Sequence, residues 1–311
     1  FATEEGSDYL EAAMTQDSEL IKNEFADLYV DHDIPSKKIL EQIRKNIRIK
    51  KLKRVCFRVA AVLIPVVLIV GLYIQLNSKV DLFGTSEYEE VVVDKGERIQ
   101  IMFQDGTKVY INSDSKLRYP KKFALNTREV YLEGEAYFVV AKNKNRPFIV
   151  NLSGPAIHVL GTSFNVSAYK DESMIETTLV EGSVKLNVVS GGKRMTQMLK
   201  PNEKAEYQKG AGKIKVFGVN TEYDTAWKNG EIIFRNHPMD KVLKTLERHY
   251  HVVFEVKDNE ILKSIITARF KDEQLPQVLE YLKLASGIQY AIHKPTVKDS
   301  GSGTSVVEIS K

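Results

Sequence analysis

The sequence predicts a single-pass membrane protein: a short α-helical cytoplasmic segment, one transmembrane helix, an all-β region that is solenoid- or sandwich-like, and a small α+β (βαββαβ) module. Three observations predict it. An uncharged stretch from Val59 to Leu76 separates a basic flank from an acidic one. Short apolar alternations divided by turn residues fill residues 90–219. After Trp227 the apolar period alternates between that of a helix and that of a strand.

The eighteen residues of Val59 to Leu76 span roughly 27 Å as a helix, about the thickness of a bilayer's hydrocarbon core. Pro65 is tolerated there because lipid-embedded helices often carry proline, and its helix-breaking tendency marks a weak point for cleavage within the bilayer. Ten Lys or Arg residues lie between Lys37 and Arg58 against the single acid Glu41, whereas Lys79 alone faces Asp81, Glu87, Glu89, Glu90 and Asp94 beyond the span. The positive-inside rule therefore places residues 1–58 in the cytoplasm and everything after about residue 77 outside it. A cleaved signal peptide does not fit, because a long region precedes the apolar run and Leu76-Asn77-Ser78-Lys79 is no small-x-small site. A buried core helix would leave the one-sided charge flank a coincidence.

The net charge of +4 hides this segregation: residues 1–36 hold ten acids against Lys22, followed at once by the basic run. Cys56, the only cysteine, sits at the cytoplasmic membrane edge, so the outer part has no disulfide and depends on packing. Cys56 reads as a spare apolar residue rather than a lipidation site. The chain starts at Phe1 rather than Met, which reads as a fragment or a removed start.

Leu20, Ile21, Phe25, Leu28 and Tyr29 recur at helical spacing among acids, an amphipathic helix. Asp31 to Ser36 breaks it, and Ser36 can cap a second helix with an Ile39, Leu40, Ile43 and Ile47 stripe running toward the membrane. So short a pair has little core, so either its acidic-rimmed stripe takes a basic partner or the hairpin packs on itself.

The next strands are Ile99–Phe103 and Val109–Ile111 around the Asp105-Gly106 turn, then Glu129–Leu132, Ala136–Val140, Phe148–Leu152, Ile157–Leu160, Phe164–Tyr169, Glu176–Leu179, Ser183–Val188 and Ala205–Gln208. Periodicity alone does not choose between sandwich, barrel and solenoid. In the last module Ile232–Phe234, Val252–Val256, Ile265–Phe270 and Ile288–Ile292 read as strands, Met239–Tyr250 and Leu275–Ala285 as helices, and Val306–Ser310 as a returning edge strand. Pro276 suits the first turn of the second helix and Gly287 stops it.

No catalytic constellation emerges, and no cofactor or metal site is expected. The chain contains no G-x-S-x-G, P-loop, dinucleotide-binding or H-E-x-x-H pattern. His249 and His251 straddle a helix end at a spacing wrong for two ligands on one face. Glu133 and Glu135, pointing the same way on one strand, read as turn and edge charges rather than a glycosidase pair. The basic run beside the span is explained by topology and anionic inner-membrane lipid, with no direct role for nucleic acid.

Several ordered segments then identify a relative. They are Asp105-Gly106-Thr107, Ile111-Asn112, the run Arg128-Glu129-Val130-Tyr131-Leu132-Glu133-Gly134-Glu135-Ala136-Tyr137-Phe138-Val139-Val140, Pro147-Phe148-Ile149-Val150, Val159 to Val166, Leu179-Val180-Glu181-Gly182-Ser183-Val184 and Leu199 to Ala205. In this order and spacing the chain resembles the FecR family of membrane-spanning sigma-factor regulators. The segments Ala226 to Glu231 and Phe234 to Pro238 open a module similar to the short N-terminal domain of secretins and TonB-dependent receptors. The resemblance implies four parts: residues 1–54 binding a sigma factor, a span at 55–77, a periplasmic FecR domain at 85–220 and a periplasmic receptor-interaction domain at 226–311.

The function it implies is that of a transmembrane anti-sigma factor, not an enzyme. Such a protein holds an extracytoplasmic-function sigma factor and relays a signal from the signalling domain of an outer-membrane TonB-dependent transducer, with intramembrane and periplasmic proteases as further partners. Sigma binding falls on Leu20, Ile21, Phe25 and Leu28, and receptor binding on edge strands carrying Ile265, Phe270 and Val306. The resemblance also raises self-cleavage at Gly161-Thr162, against the plainer reading of a turn beside the packed Phe164 and Val166. The rival from another class is a membrane-anchored periplasmic glycan- or cell-wall-binding β-protein, and an acidic cytoplasmic helix argues against it because an anchor needs none.

Overall fold

The basic and apolar runs form one continuous helix, α1 (Ser36–Lys79), with Pro65 inside it. In this computed structural model the structure describes residues 36–79, 81, 86–190, 192–293 and 304–311. The expected sigma-binding residues Leu20, Ile21, Phe25 and Leu28 lie outside them. Among the described residues one helical stretch, Glu41–Tyr73, is long and apolar enough to cross a membrane. Leu63, Val67 and Ile69 within it are exposed, as a lipid-facing surface requires. The chain divides into two units, with the boundary along the sequence between Tyr73 and Ile74.

In the second unit the strands run in order β1 (Tyr88–Val93), β2 (Ile99–Met102), β3 (Lys108–Ile111), β4 (Ser115–Pro120), β5 (Arg128–Val139), β6 (Phe148–Asn151), β7 (Ala156–Val159), β8 (Ser163–Ala168), β9 (Met174–Glu181), β10 (Val184–Ser190), β11 (Lys193–Leu199), β12 (Glu203–Gln208) and β13 (Lys213–Gly218). They form one sheet of order β11-β10-β7-β6-β5-β8-β9-β12-β13, with β4 and β3 also joined to β5. The sheet wraps in a nearly closed, barrel-like form around one core that includes Val109, Leu117, Phe138, Phe148, Phe164 and Leu179, all fully buried. The sheet hydrogen bonds pass through one shared strand to enclose this core, an arrangement nearer a sandwich than a solenoid.

That shared strand is β5, expected as two strands and observed as one of 12 residues. Its first half pairs with β4 and, in parallel, with β6; its second half pairs with β3 and β8. Gly134 is where it changes partners. Its φ is +105° and a Cβ there would lie 2.6 Å from the Ser115 Cα, so the backbones meet where only glycine fits. Glu133 and Glu135 stand on the same side of β5, opposite the core residues Leu132 and Ala136, but Glu133 is exposed opposite Lys116 whereas Glu135 is partly buried, so burial separates the two carboxylates. Gly134→Ala is expected to cost about 2–4 kcal/mol in urea unfolding; a loss under ~1 kcal/mol would show that the crossing tolerates a side chain.

A short helix α2 (Glu222–Thr225) and a 3-10 turn (Ala226–Asn229) lead into the last module. It comprises β14 (Glu231–Pro238), α3 (Met239–Tyr250), β15 (Val252–Val256), β16 (Ile265–Lys271), α4 (Leu275–Ser286), β17 (Gln289–His293) and β18 (Ser305–Ser310). A separate apolar cluster holds it together, centred on Met239, Val242, Leu246, Val278, Leu279 and Leu282. Gly287 ends α4 in the left-handed conformation at φ 73°, and His251 does the same for α3 at φ 53°. One expectation is corrected. Val306–Ser310 is not an edge: β18 lies between β15, with which it is parallel, and β17. Val307 and Ile309 are both fully buried, and a strand with so apolar a face is stabilised best in the middle of its sheet. Among the described residues β16 pairs with β14 alone and keeps one open edge, as do β14, β15 and β17.

Candidate functional site

The outer face of the β5-β8-β9-β12 sheet carries two rows of mostly polar residues, Tyr137-Asn165-Thr178-Lys204 and Glu135-Ser167-Glu176-Glu206, set side by side by the strand register. Alternation with the core residues Phe164, Val166 and Leu179 puts them outward, where water would normally solvate them. Instead the chain from Glu222 to Tyr250 covers them, and Asn165, Thr178 and Lys204 are all buried. Burying polar groups is costly unless each finds a partner, and here each does.

The Trp227 Nε1 donates to Asn165 Oδ1 at 3.1 Å, and the Asn165 amide donates to Glu135 Oε1 at 2.8 Å. The Asn112 amide holds the other Glu135 oxygen at 2.7 Å. Lys204 donates to Asp224 at 2.6 Å and to Glu176 at 3.0 Å, and Thr178 Oγ1 donates to Asp224 at 2.8 Å. From α3, Lys241 reaches Glu176 at 2.8 Å, and Arg248 holds Asp171 at 2.8 Å and Glu172 at 2.5 Å while lying 3.6 Å over the Tyr169 ring. Bonds to backbone carbonyls close the seam, from Gly96 N to Arg248 O at 2.7 Å and from the Arg98 guanidinium to Trp227 O at 2.6 Å.

The charges within this seam are poised differently. Burial alone would raise the Glu176 carboxyl, but Lys204 and Lys241 outweigh it and hold it down at about 2. Burial also opposes charge on Lys204, yet Asp224 and Glu176 keep it firmly protonated. Glu135 has no cation against it. Burial pushes its carboxyl up to about 7, the Asn165 and Asn112 amides partly offset this, and Asp224 and Glu172 add to it. A cavity of about 130 Å³ lies over this carboxylate, bounded by Asn112, Asn165, Tyr169, Trp227 and Arg248 among others. The arrangement joins two separately packed modules through ionic and amide bonds.

The residues singled out from the sequence lie elsewhere. Val59, Pro65 and Leu76 are all within α1. Gly161 has φ +153° and packs so close to Lys142 that a Cβ would fall 2.7 Å from its Cα. Thr162 is buried, and its hydroxyl donates to the Ser183 carbonyl at 3.0 Å. Ile265 is exposed at the β16 edge, whereas Phe270 packs inward between Phe234 and Tyr281. The seam itself escaped sequence reading, because its outward polar residues look like any solvated sheet face.

The FecR protein family model matches residues 89–185 and the FecR C-terminal family model matches residues 231–298, together more than half of the chain. This chain belongs to the FecR family. The FecR match runs from β1 into β10, and the FecR C-terminal match begins with β14. Lys204, Asp224 and Trp227, which knit the seam, fall outside both. Two crystal structures of a candidate anti-sigma factor from Parabacteroides distasonis ATCC 8503, at 1.65 and 2.50 Å resolution, are similar to this FecR chain. They share 29% and 28% identity with TM-scores of 0.64 and 0.63, covering 72% of this chain and 99% and 100% of theirs. No curated protein matches the chain significantly.

Proposed function

We propose that this protein is a membrane-spanning anti-sigma factor. Residues 1–54 hold an extracytoplasmic-function sigma factor in the cytoplasm, α1 crosses the inner membrane, and the second unit receives a periplasmic signal. The observation that carries this reading is the family membership of the chain beyond α1, joined to an apolar helix with ten basic residues on one flank. The likeness to a candidate anti-sigma factor supports it.

The signal comes, in this reading, from the signalling domain of an outer-membrane TonB-dependent transducer, whose strand adds to the free edge of β16 beside Ile265. Because Phe270 belongs to the module's core, the partner meets the β16 backbone and its exposed residues. Proteolysis, with Pro65 as the weak point in the bilayer, then releases the sigma factor.

The test is co-purification of the full chain with the sigma factor encoded beside it, plus a reporter of that factor's promoter, with Leu20→Asp, Phe25→Asp and Leu28→Asp combined. We expect the triple variant to lose association and change output; no association of the parent chain, with unaltered output, would reject the reading. Pro65→Leu in the same reporter is expected to blunt the response, and an unchanged response leaves Pro65 a plain part of the anchor. For Gly161-Thr162 the close packing of Gly161 and the engaged Thr162 hydroxyl favour a structural turn, so intact mass of the purified chain is expected to show one species. Two fragments meeting at that bond would instead establish scission.

A further inference from the structure

A second concave surface lies away from the seam. A cleft of about 640 Å³ opens between the loop carrying Lys142, Lys144 and Pro147 and the turns at Leu160–Thr162 and Gly182–Ser183. Its charged lining is entirely basic, Lys142, Lys144 and Lys185, with no aspartate or glutamate; burial and then Lys185 push the His158 imidazole beside them toward its neutral form. Three other lysines of the sheet are matched by carboxylates, Lys116 by Glu90, Lys121 by Glu87 and Lys204 by Glu176 and Asp224. Among the described residues no carboxylate forms an ion pair with Lys142, Lys144 or Lys185, so the cleft lining carries a net positive charge.

The floor between these cations is apolar. Lys185 stands opposite His158 on β7 and Met198 on β11, and Met198 and Leu160 are 50% and 46% exposed. The walls are already fixed. Asn143 N donates to Leu160 O at 2.7 Å, Val140 N to Thr162 O at 3.0 Å, and the Thr162 hydroxyl to Ser183 O at 3.0 Å. A preformed cleft spends little binding energy on ordering itself. Alongside it runs β11, which pairs only with β10 and leaves its outer edge open among the described residues.

We propose that this cleft docks an extended acidic segment of a partner polypeptide, its carboxylates meeting Lys142, Lys144 and Lys185 and an apolar side chain seating on Leu160 and Met198. Charge complementarity sets the sign of the partner. The free edge of β11 favours a polypeptide over a lipid headgroup or a phosphate polymer, since only a polypeptide offers main-chain donors and acceptors in strand register. This surface is independent of the β16 edge and of the sigma-binding segment.

The test uses the full chain in detergent micelles and a fluorescein-labelled acidic peptide with leucines set between its glutamates. Controls are the same peptide with lysine for glutamate, short-chain phosphatidylglycerol and inorganic polyphosphate. The acidic peptide is expected to bind, to weaken as salt rises, and to lose roughly tenfold or more in affinity with Lys142→Glu and Lys185→Glu combined. Hydrogen exchange of the β11 amides is expected to slow in the bound state. Undiminished binding by the double variant, unprotected β11 amides, or equal variant-sensitive binding of either non-peptide anion would overturn the proposal. Because the variants leave residues 1–54 and β16 untouched, their outcome is separable from that of the sigma-factor test.

Discussion

Asp105→Ala is expected to destabilise the β domain by about 3–5 kcal/mol, because it strands a buried cation. The Arg128 side chain is 1% exposed and its guanidinium bonds Asp105 Oδ2 at 2.6 Å and the Ala141 and Arg146 carbonyls at 2.9 and 3.0 Å. Asp105 also organises its own turn. It accepts from Thr107 N at 3.0 Å and from the Thr107 hydroxyl at 2.8 Å, while that hydroxyl accepts from Ala141 N at 3.1 Å. Gly106 at φ +86° lets the chain turn between them.

The Asp-Gly-Thr triplet thus locks the β2-β3 hairpin to the end of β5, a role its composition alone could not show. Urea unfolding of the full chain in detergent checks this. The double variant Asp105→Ala with Arg128→Met is expected to recover most of the loss, since removing both charges abolishes the desolvation cost together with the attraction. A single-variant loss under ~1 kcal/mol would mean that water reaches Arg128 and the pair contributes little.

Glu135→Gln is expected to stabilise the seam at alkaline pH and to do little in mild acid. The Glu135 carboxyl is raised from an ordinary 4.5 to about 7 by burial, so its folded form prefers the proton. Its contribution is therefore fully present below about 4.5 and lost as pH rises through about 7, a swing of up to ~3 kcal/mol. Glutamine keeps the shape and cannot ionise. Groups facing the same seam titrate elsewhere or cancel in the comparison. The Glu176 contribution is present above 4.5 and lost only as pH falls through about 2. His249, pushed down to about 4 by burial and then by Arg98, loses stability as pH falls from 6.5 toward that value, equally in both proteins.

Trp227 is the only tryptophan in the chain and donates to Asn165 beside Glu135, so its fluorescence reports this seam directly. The variant is expected to raise the urea midpoint of that signal near pH 8 and to match the parent near pH 5, about three pH units apart. An advantage independent of pH would show that Glu135 does not change its charge there.

Much of the architecture was legible in the sequence because it rests on local patterns. A charge-flanked apolar run makes α1, and Met239–Tyr250 and Val252–Val256 form the helix and strand that their apolar periods predict. Where local pattern was silent, reading failed. Lys193–Leu199 lacks clear apolar alternation and still forms β11, because β10 supplies its hydrogen bonds, and Ser115–Pro120, where Leu117 and Tyr119 alternate with Lys116 and Arg118 over only a few residues, forms β4 between β1 and β5. Gly134 looks like a break between strands, yet it is the residue that lets one strand serve two halves of a sheet.

By itself, the sequence determined where the chain can cross a membrane, which segments become helix or strand, and the family resemblance of the part beyond the span. Only the tertiary structure decided that β18 is central, that the acidic and basic residues of the outer sheet face are buried partners, and that Glu135 is set apart from Glu133. The reason is distance along the chain. Thr178 meets Asp224 from 46 residues away and Arg248 meets Glu172 from 76, and no local period encodes which polar face another module will cover.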